Sequence, residues 1–336
     1  MKITTSEPRA HPVYYVSENT VMELVDQSTV TAAIGSMYEA MARGEAVNFP
    51  VVRETLGYAD AIFGFKSGFD HRGPVLGVKA GGLWPANASK GLPNHQSTIV
   101  LFDPDHGGPL ALIRGTWLTA LRTAAASALS IRYLARADAK VLGILGAGGQ
   151  SLPQVRAALA ERDFRELLIC DRSSERAAAL ADALVEAGAG EELSITCCTV
   201  QRMASCADVI ITLTPSWRPI VRADWVRPGT HLACMGTDTA GKQEVECEIV
   251  ASASLFGDEP RQVVTIGECQ HAFRDGLIDE AAITPLGQVI GGEHPGRREA
   301  DENTLFDSTG VGLQDLVAAR LALERALAAG RAIPLD

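Results

Sequence analysis

Cysteine, basic clusters, paired histidines and long apolar runs are all scarce or missing in this chain, and each shortage excludes a class of protein. Seven cysteines stand at 170, 197, 198, 206, 234, 247 and 269. Their odd number, low density and lack of any C-x-x-C pair argue against a disulfide framework. Several lie in apolar runs (167–170 and 232–235), as the reduced, buried thiols of a cytosolic protein do. The seven histidines are scattered with no H-x-x-x-H spacing, so no metal site and no metal hydrolase is expected. No run of five Lys/Arg occurs, and 30 basic against 41 acidic residues leave a formal charge of −11. Such a chain repels nucleic acid and anionic membranes, so neither is an expected partner. No apolar stretch approaches the roughly 18–20 residues of a membrane span, and the opening residues hold no hydrophobic signal region. The expectation is a soluble, cytoplasmic protein.

What is present is the composition of an ordinary globular protein: 46% hydrophobic and 21% charged residues in 336, enough for two modest domains. There is no internal repeat and no low-complexity segment. Apolar spacing predicts a first helix over 19–43. Residues 47–102 carry short apolar runs (61–65, 75–78, 98–102) between Gly, Pro, Asn and Asp, which predicts antiparallel strands. Residues 115–135 form the clearest helix, with Leu118, Leu121, Ala125, Ala128 and Leu129 on one stripe. From Lys140 the texture becomes strand and helix in alternation: strands at 141–145, 167–170, 195–200, 209–213, 231–235 and 249–256, with helices at 150–162 and 173–187. That alternation predicts an α/β architecture with a doubly wound parallel sheet. A last helix over about 311–329 is expected to pack back on the first part of the chain. The expected division is therefore 1–130 with 311–336 as a discontinuous α+β domain, and 131–310 as the parallel-sheet domain.

Gly146, Ala147, Gly148, Gly149, Gln150 and Ser151 stand directly after one strand and before one helix. A dinucleotide needs that context: the first glycine permits the tight turn, the second lets backbone N–H groups approach a pyrophosphate, and the helix N-terminus adds partial positive charge. Ser151 replaces the third glycine of G-x-G-x-x-G, and its small side chain still permits close packing. The next strand ends at Asp171, about twenty residues on, where a carboxylate accepts from a ribose 2′-OH. These features predict a Rossmann domain that binds NAD. Asp171 would repel a 2′-phosphate, while Arg172 beside it leaves NADP open.

Four charged residues lie in apolar or glycine-rich settings. Lys79 ends a strand in L-G-V-K-A-G-G, Arg122 falls on the buried stripe of its helix, and Arg53 closes N-F-P-V-V-R. Buried cations are costly without an anion, so each alone fits an internal salt bridge, and the three together fit a carboxylate trap. Asp238 follows a parallel strand in M-G-T-D-T-A-G-K, at the carboxyl edge where ligands of open α/β sheets bind; a turn or cap aspartate is the plain alternative.

In this order, Arg53, V-K-A-G-G, L-R-T-A-A-A-S-A, G-A-G-G-Q and M-G-T-D-T-A-G-K resemble the ornithine cyclodeaminase/μ-crystallin family over nearly the whole chain. That resemblance implies a two-domain homodimer whose first domain supplies the dimer sheet and the substrate pocket. It also implies roles: Arg53, Lys79 and Arg122 on a substrate carboxylate, and Asp238 at the reacting amine or imine, with Lys79 able to relay a proton. Arg122, Thr123, Gln150, Thr214, Met235, Gly236, Thr237 and Asp238 would lie along the cofactor. The family includes cyclodeaminases, ketimine and pyrroline-carboxylate reductases, and alanine dehydrogenases. Finer segments (48–54, 63–70, 92–98, 101–105, 236–244, 266–272, 307–316) resemble the members that reduce iminosuccinate to L-aspartate with NADH. His95, in L-P-N-H-Q-S-T, is then a candidate for a second, distal carboxylate, or else a stabiliser of its loop.

Overall fold

The computed structural model describes residues 12–189 and 192–335; most of the opening segment, residues 1–11, lies outside it. The first half of the chain builds one mixed sheet. Its strands are β1 (Val13–Val16), β2 (Ala46–Asn48), β3 (Val52–Thr55), β4 (Ile62–Asp70), β5 (Val75–Leu83), β6 (His95–Phe102) and β7 (Pro109–Arg114). A C-terminal strand, Ile333–Leu335, joins beside β1, giving the order C-terminal strand–β1–β7–β6–β5–β4–β2, with β3 paired to β4. The expected antiparallel run is thus present, and its register fixes which side chains share a face.

The single helix expected over 19–43 is two helices, α1 (Glu18–Leu24) and α2 (Gln27–Ala42). Val25 is extended, and the Asp26 carboxylate accepts from Thr29 N at 2.8 Å, capping α2. An aspartate that satisfies a free N–H at a helix start outweighs the continuous apolar periodicity. Helix α3 (Thr116–Leu134) is buried on more than one stripe. Ala124, Ala125, Ala126 and Ala128 are fully or almost fully covered. Small residues let α2 and the helix after the glycine turn approach it from two sides.

The second half is a parallel sheet of eight strands, β8 (Val141–Leu145), β9 (Glu166–Cys170), β10 (Ser194–Cys197), β11 (Val209–Thr212), β13 (His231–Cys234), β15 (Ser254–Gly257), β16 (Ile283–Pro285) and β17 (Thr304–Asp307). Two more strands, β12 (Trp217–Val221) and β14 (Gln243–Val245), pair separately. The order β10–β9–β8–β11–β13–β17–β15–β16 reverses direction between β8 and β11, which is the doubly wound Rossmann arrangement. The crossover helices include α4 (Ser151–Leu159), α5 (Ser174–Glu186), α6 (Val200–Cys206), α7 (Cys247–Ser252), α8 (Pro260–Ile266), α9 (Gln270–Arg274) and α10 (Leu286–Ile290). Two expectations need correction. The strand expected at 249–256 is the end of α7 followed by β15, and β17, a buried four-residue strand, was not anticipated. Among the described residues no helix is long and apolar enough to cross a membrane.

Helix α11 (Gly312–Ala328) then returns to the first sheet and lies on its inner face, against β4, β5 and α2. Glycines make the approach possible. A Cβ at Gly68 would come within 2.8 Å of Leu313 Cγ, and one at Gly77 within 2.8 Å of Leu316 Cδ2 and 2.6 Å of Val100 O. Gly77→Val should therefore lower stability by about 1–3 kcal/mol, the usual cost of overpacking. The midpoint of urea unfolding measures it, and an unchanged midpoint would refute the tight seating of α11.

Candidate active site

The adjacent parallel strands β9, β8, β11, β13 and β17 each carry candidate site residues at the carboxyl end. Asp171 follows β9, the glycine turn follows β8, Thr214 follows β11, Met235, Gly236, Thr237 and Asp238 follow β13, and Ser308, Thr309 and Gly310 follow β17. Gly146 adopts φ +105°, a conformation that L side chains avoid, and a Cβ there would press within 3.2 Å of the Leu213 backbone. At Gly148 and Gly149, by contrast, a Cβ would meet nothing within 4 Å. The turn is open toward the space at the start of α4, which suits the approach of a phosphate group. Asp171 accepts from Ala147 N and Ser173 N, both at 2.8 Å, and from Arg176 Nη2 at 3.0 Å. Those bonds fix the carboxylate at the tip of β9, with its pKa held low: burial works against ionisation, and the two backbone N–H groups and Arg176 outweigh it. Arg172 next to it is exposed.

The turns after β11 and β13 rest on two buried acids that sequence reasoning did not single out. Glu244 accepts from Thr212 Oγ1 (2.6 Å), Thr214 N (2.6 Å) and Gly236 N (3.1 Å). Glu268 accepts from Thr237 Oγ1 (2.5 Å) and from the N–H groups of Glu244 and Val245 (both 2.7 Å). Burial raises both carboxyl pKa values, and for Glu268 the nearby Glu244 adds to the rise. The signal was present as lone glutamates beside apolar residues in K-Q-E-V and I-G-E-C.

Facing this edge is the inner surface of the first sheet. Register puts Arg53 opposite Gly64, Lys66 opposite Lys79, and Lys79 opposite Ile99, with His95 farther along the same face of β6. Lys79 Nζ pairs with Asp315 Oδ2 at 2.7 Å, and Arg122 Nε with Asp315 Oδ1 at 3.0 Å. Arg122 Nη1 also donates to Gln314 Oε1 at 2.8 Å. Asp315, fully buried on α11, thus holds two cations at once. Its pKa is lowered: burial disfavours the charge, but Arg122, Lys79 and Lys66 outweigh it. Thr123 is buried on α3 and donates to the Thr119 carbonyl at 2.7 Å.

Arg53 reaches across to the other sheet. Its Nη1 lies 2.7 Å from Asp238 Oδ2 and donates to Asp238 O (3.0 Å) and Thr239 Oγ1 (2.8 Å). Lys242 Nζ holds the other carboxylate oxygen at 2.9 Å. Burial would raise the Asp238 pKa, yet Arg53, Lys242 and Lys66 hold it far below the usual carboxylate range. The side chain keeps 31% of its surface exposed, so the ionised acid is open to a ligand. The His95 pKa is lowered as well, to about 3, by burial and by Lys79 and Arg122, so it offers a neutral ring. Lys66, which sequence reasoning passed over, is also buried here; the turn at 71–74 places it opposite Lys79, and only that register reveals it.

The four sequence-predicted residues Arg53, Lys79, Arg122 and Asp238 therefore meet in one cleft, next to the glycine turn. The salt-bridge reading holds for each cation: Arg53 pairs with Asp238, and Lys79 and Arg122 pair with Asp315. Burial lowers the Lys79 pKa to about 8, with Asp315 opposing and Arg122 reinforcing the shift. Lys79 is charged below that pH and neutral above it. Propionate affinity of the cleft, measured by calorimetry, should accordingly fall as pH rises through about 8, and in Lys79→Arg the fall should move above pH 10. The same pH limb in both proteins would exclude Lys79 as the titrating group.

Residues 17–330 match the model of the ornithine cyclodeaminase/mu-crystallin family. Iminosuccinate reductase of Paracoccus denitrificans is 48% identical over 311 residues, covering 93% of this chain and 96% of that protein. The crystal structure of the Paracoccus enzyme in complex with NAD+ superposes with a TM-score of 0.90 over 97% of this chain and all of that one. An archaeal alanine dehydrogenase dimer with bound NAD also gives 0.90, at 29% identity, over 96% of this chain and 99% of its own. With residues 17–330 matching its model and a relative 48% identical over 93% of its length, the chain belongs to the ornithine cyclodeaminase/mu-crystallin family.

Proposed function

We propose that this protein is an NADH-dependent imine reductase that converts iminosuccinate to L-aspartate. The observation that carries the reading is the convergence of Arg53, Lys79, Arg122 and Asp238 beside the glycine turn, in a chain so similar to an iminosuccinate reductase. The open space at Gly148 and Gly149 and the carboxylate at the tip of β9 fit a dinucleotide. Gly146, Ala147, Gly148, Gly149 and Gln150 would take the pyrophosphate, Asp171 the adenosine ribose, and Thr123, Thr214 and the 235–237 turn the nicotinamide half. Asp171 favours NAD; Arg172 and Arg176 beside it are what an NADP preference would have to use. When bound, NADH supplies the hydride.

Arg53, Lys79 and Arg122 fix the α-carboxylate and so orient the imine carbon. Asp238, ionised and partly exposed, stabilises positive charge on the substrate nitrogen, which makes the carbon a better acceptor and steadies the amine that forms. Lys79, with its pKa lowered to about 8, is the group able to relay a proton. His95 donates one hydrogen bond to the distal carboxylate. Residues 1–130 with 311–336 form the substrate and dimerisation domain, and 131–310 the cofactor domain. The outer face of the first sheet, with Val47, Val52 and Phe65 about half exposed on it, is the surface for a homodimer. The enzyme works in the cytoplasm.

Oxaloacetate with ammonium should oxidise NADH in the presence of the enzyme, and ornithine should release no ammonia; ammonia from ornithine without net NADH loss would make the protein a cyclodeaminase instead. Asp238→Asn should cut turnover by roughly 10²–10⁴, the scale for losing a group that manages charge and protons at the reacting centre. Gly148→Val should leave the unfolding midpoint in place, because its side chain meets no protein atom, yet weaken NADH binding by about tenfold or more. Undiminished NADH affinity in that variant would remove the glycine turn from the cofactor site.

A further inference from the structure

Lys66 is the one cation of the cleft whose partners are all neutral. Arg53, Lys79, Arg122 and Lys242 each have a carboxylate oxygen within 3.0 Å. Lys66 Nζ donates to the backbone carbonyls of Thr309 (3.0 Å) and Gly310 (2.7 Å), and among the described residues no carboxylate reaches ion-pairing distance. The residue is 6% exposed. Burying an ammonium with no anion is costly, and carbonyl dipoles offset only part of that cost. The surrounding charges sharpen the imbalance. Burial lowers its pKa, and Lys79, Arg53 and Arg122 act in the same direction, with Asp238 opposing.

Its position explains what could satisfy it. Lys66 stands directly opposite Lys79 in the β4–β5 pair, and one alternate position along β4 from Gly64, the partner of Arg53. Directly opposed residues of antiparallel strands have Cα atoms roughly 4.5–5.5 Å apart, so the two lysines leave the same face of the sheet as neighbours. Gly310 keeps φ +73°, and a Cβ there would come within 2.6 Å of Arg122 Nη1 and 3.1 Å of Lys66 Nζ, so the loop leaves the two cations room. Two of the three N–H bonds of an ammonium at Lys66 are directed to carbonyls, and one remains.

We propose that Lys66 is a specificity-determining residue that binds the second carboxylate of a dicarboxylic substrate, and so selects diacid imines over monoacid ones. This rests on the reading of the cleft as an imine-reductase site. Lys79 and Arg122 already carry Asp315 between them, so a monoanion at the α-carboxylate position leaves Lys66 without a countercharge. A dianion supplies it. His95, held neutral, adds a hydrogen bond and no charge, which makes Lys66 the cation on this side of the cleft.

The test compares Lys66→Met and Lys66→Gln with the natural protein, all in the presence of NADH. Gln keeps two N–H donors for the Thr309 and Gly310 carbonyls without the charge, and so reads the charge even if Met disturbs the loop. Succinate and propionate are the probes, with binding followed by calorimetry. Succinate affinity should fall on the order of 10- to 100-fold in both variants, the worth of one charge-assisted hydrogen bond, while propionate affinity changes less than about threefold. The ratio of kcat/KM for the imine of oxaloacetate to that of pyruvate should fall in parallel. Equal losses for both acids, or no loss for succinate in Lys66→Gln, would overturn the proposal. Failure of the natural protein to reduce the oxaloacetate imine would instead strike the reductase reading, since the two acids still report on Lys66 by binding alone.

Discussion

A single buried carboxylate organises the inner face of the first sheet. Asp315 has no exposed surface, and it meets Lys79 and Arg122 at 2.7 and 3.0 Å. Two cations around one anion leave a net positive charge in a low-dielectric setting, which is the condition for attracting a carboxylate into an acidic protein. Without that anion the two cations would repel each other, and Lys79 would lose its proton more readily. Because Asp315 belongs to α11, the arrangement depends on the helix that returns from the far sheet, and on the glycines of β4 and β5 that let it lie flat.

On the opposite side of the cleft the logic is reversed. Glu244 and Glu268 are buried acids whose role is to accept, from Thr212, Thr214, Gly236 and Thr237 and from backbone N–H groups. They secure two loops that carry no regular structure, where helices or strands offer no internal ladder to do so. Arg53 and Asp238 then join the two surfaces directly, one residue from each.

Much of this was readable from residue order, for identifiable reasons. Strand–helix alternation after Lys140 and the glycine turn are local patterns, and they led to the parallel sheet and its carboxyl edge. Arg122 was conspicuous because a charge interrupted an apolar stripe, and Asp238 because it followed a strand. What escaped was long-range. Lys66 sits in an alternating strand where a lysine reads as solvent-facing, and only its pairing with Lys79 turns it inward. Asp315 is separated from its partners by 236 and 193 positions along the chain, so nothing near it in sequence announces two cations. Local errors had local causes: Asp26 capped a new helix inside a continuous apolar pattern, and β17 was too short and too flanked by polar residues to stand out.

The return of α11 also bears on how the chain acquires its shape. The first sheet precedes the second in the chain, yet the carboxylate that pairs with Lys79 and Arg122 comes 236 and 193 positions after them. Until then Lys79, Arg122 and the glycine-lined groove between β4 and β5 stand uncovered. Closure of such distant contacts is slow compared with local helix formation. The nucleotide half, whose strands and helices follow one another closely, can therefore order first, and the cleft is completed when α11, distant in sequence from the first sheet, docks on β4 and β5.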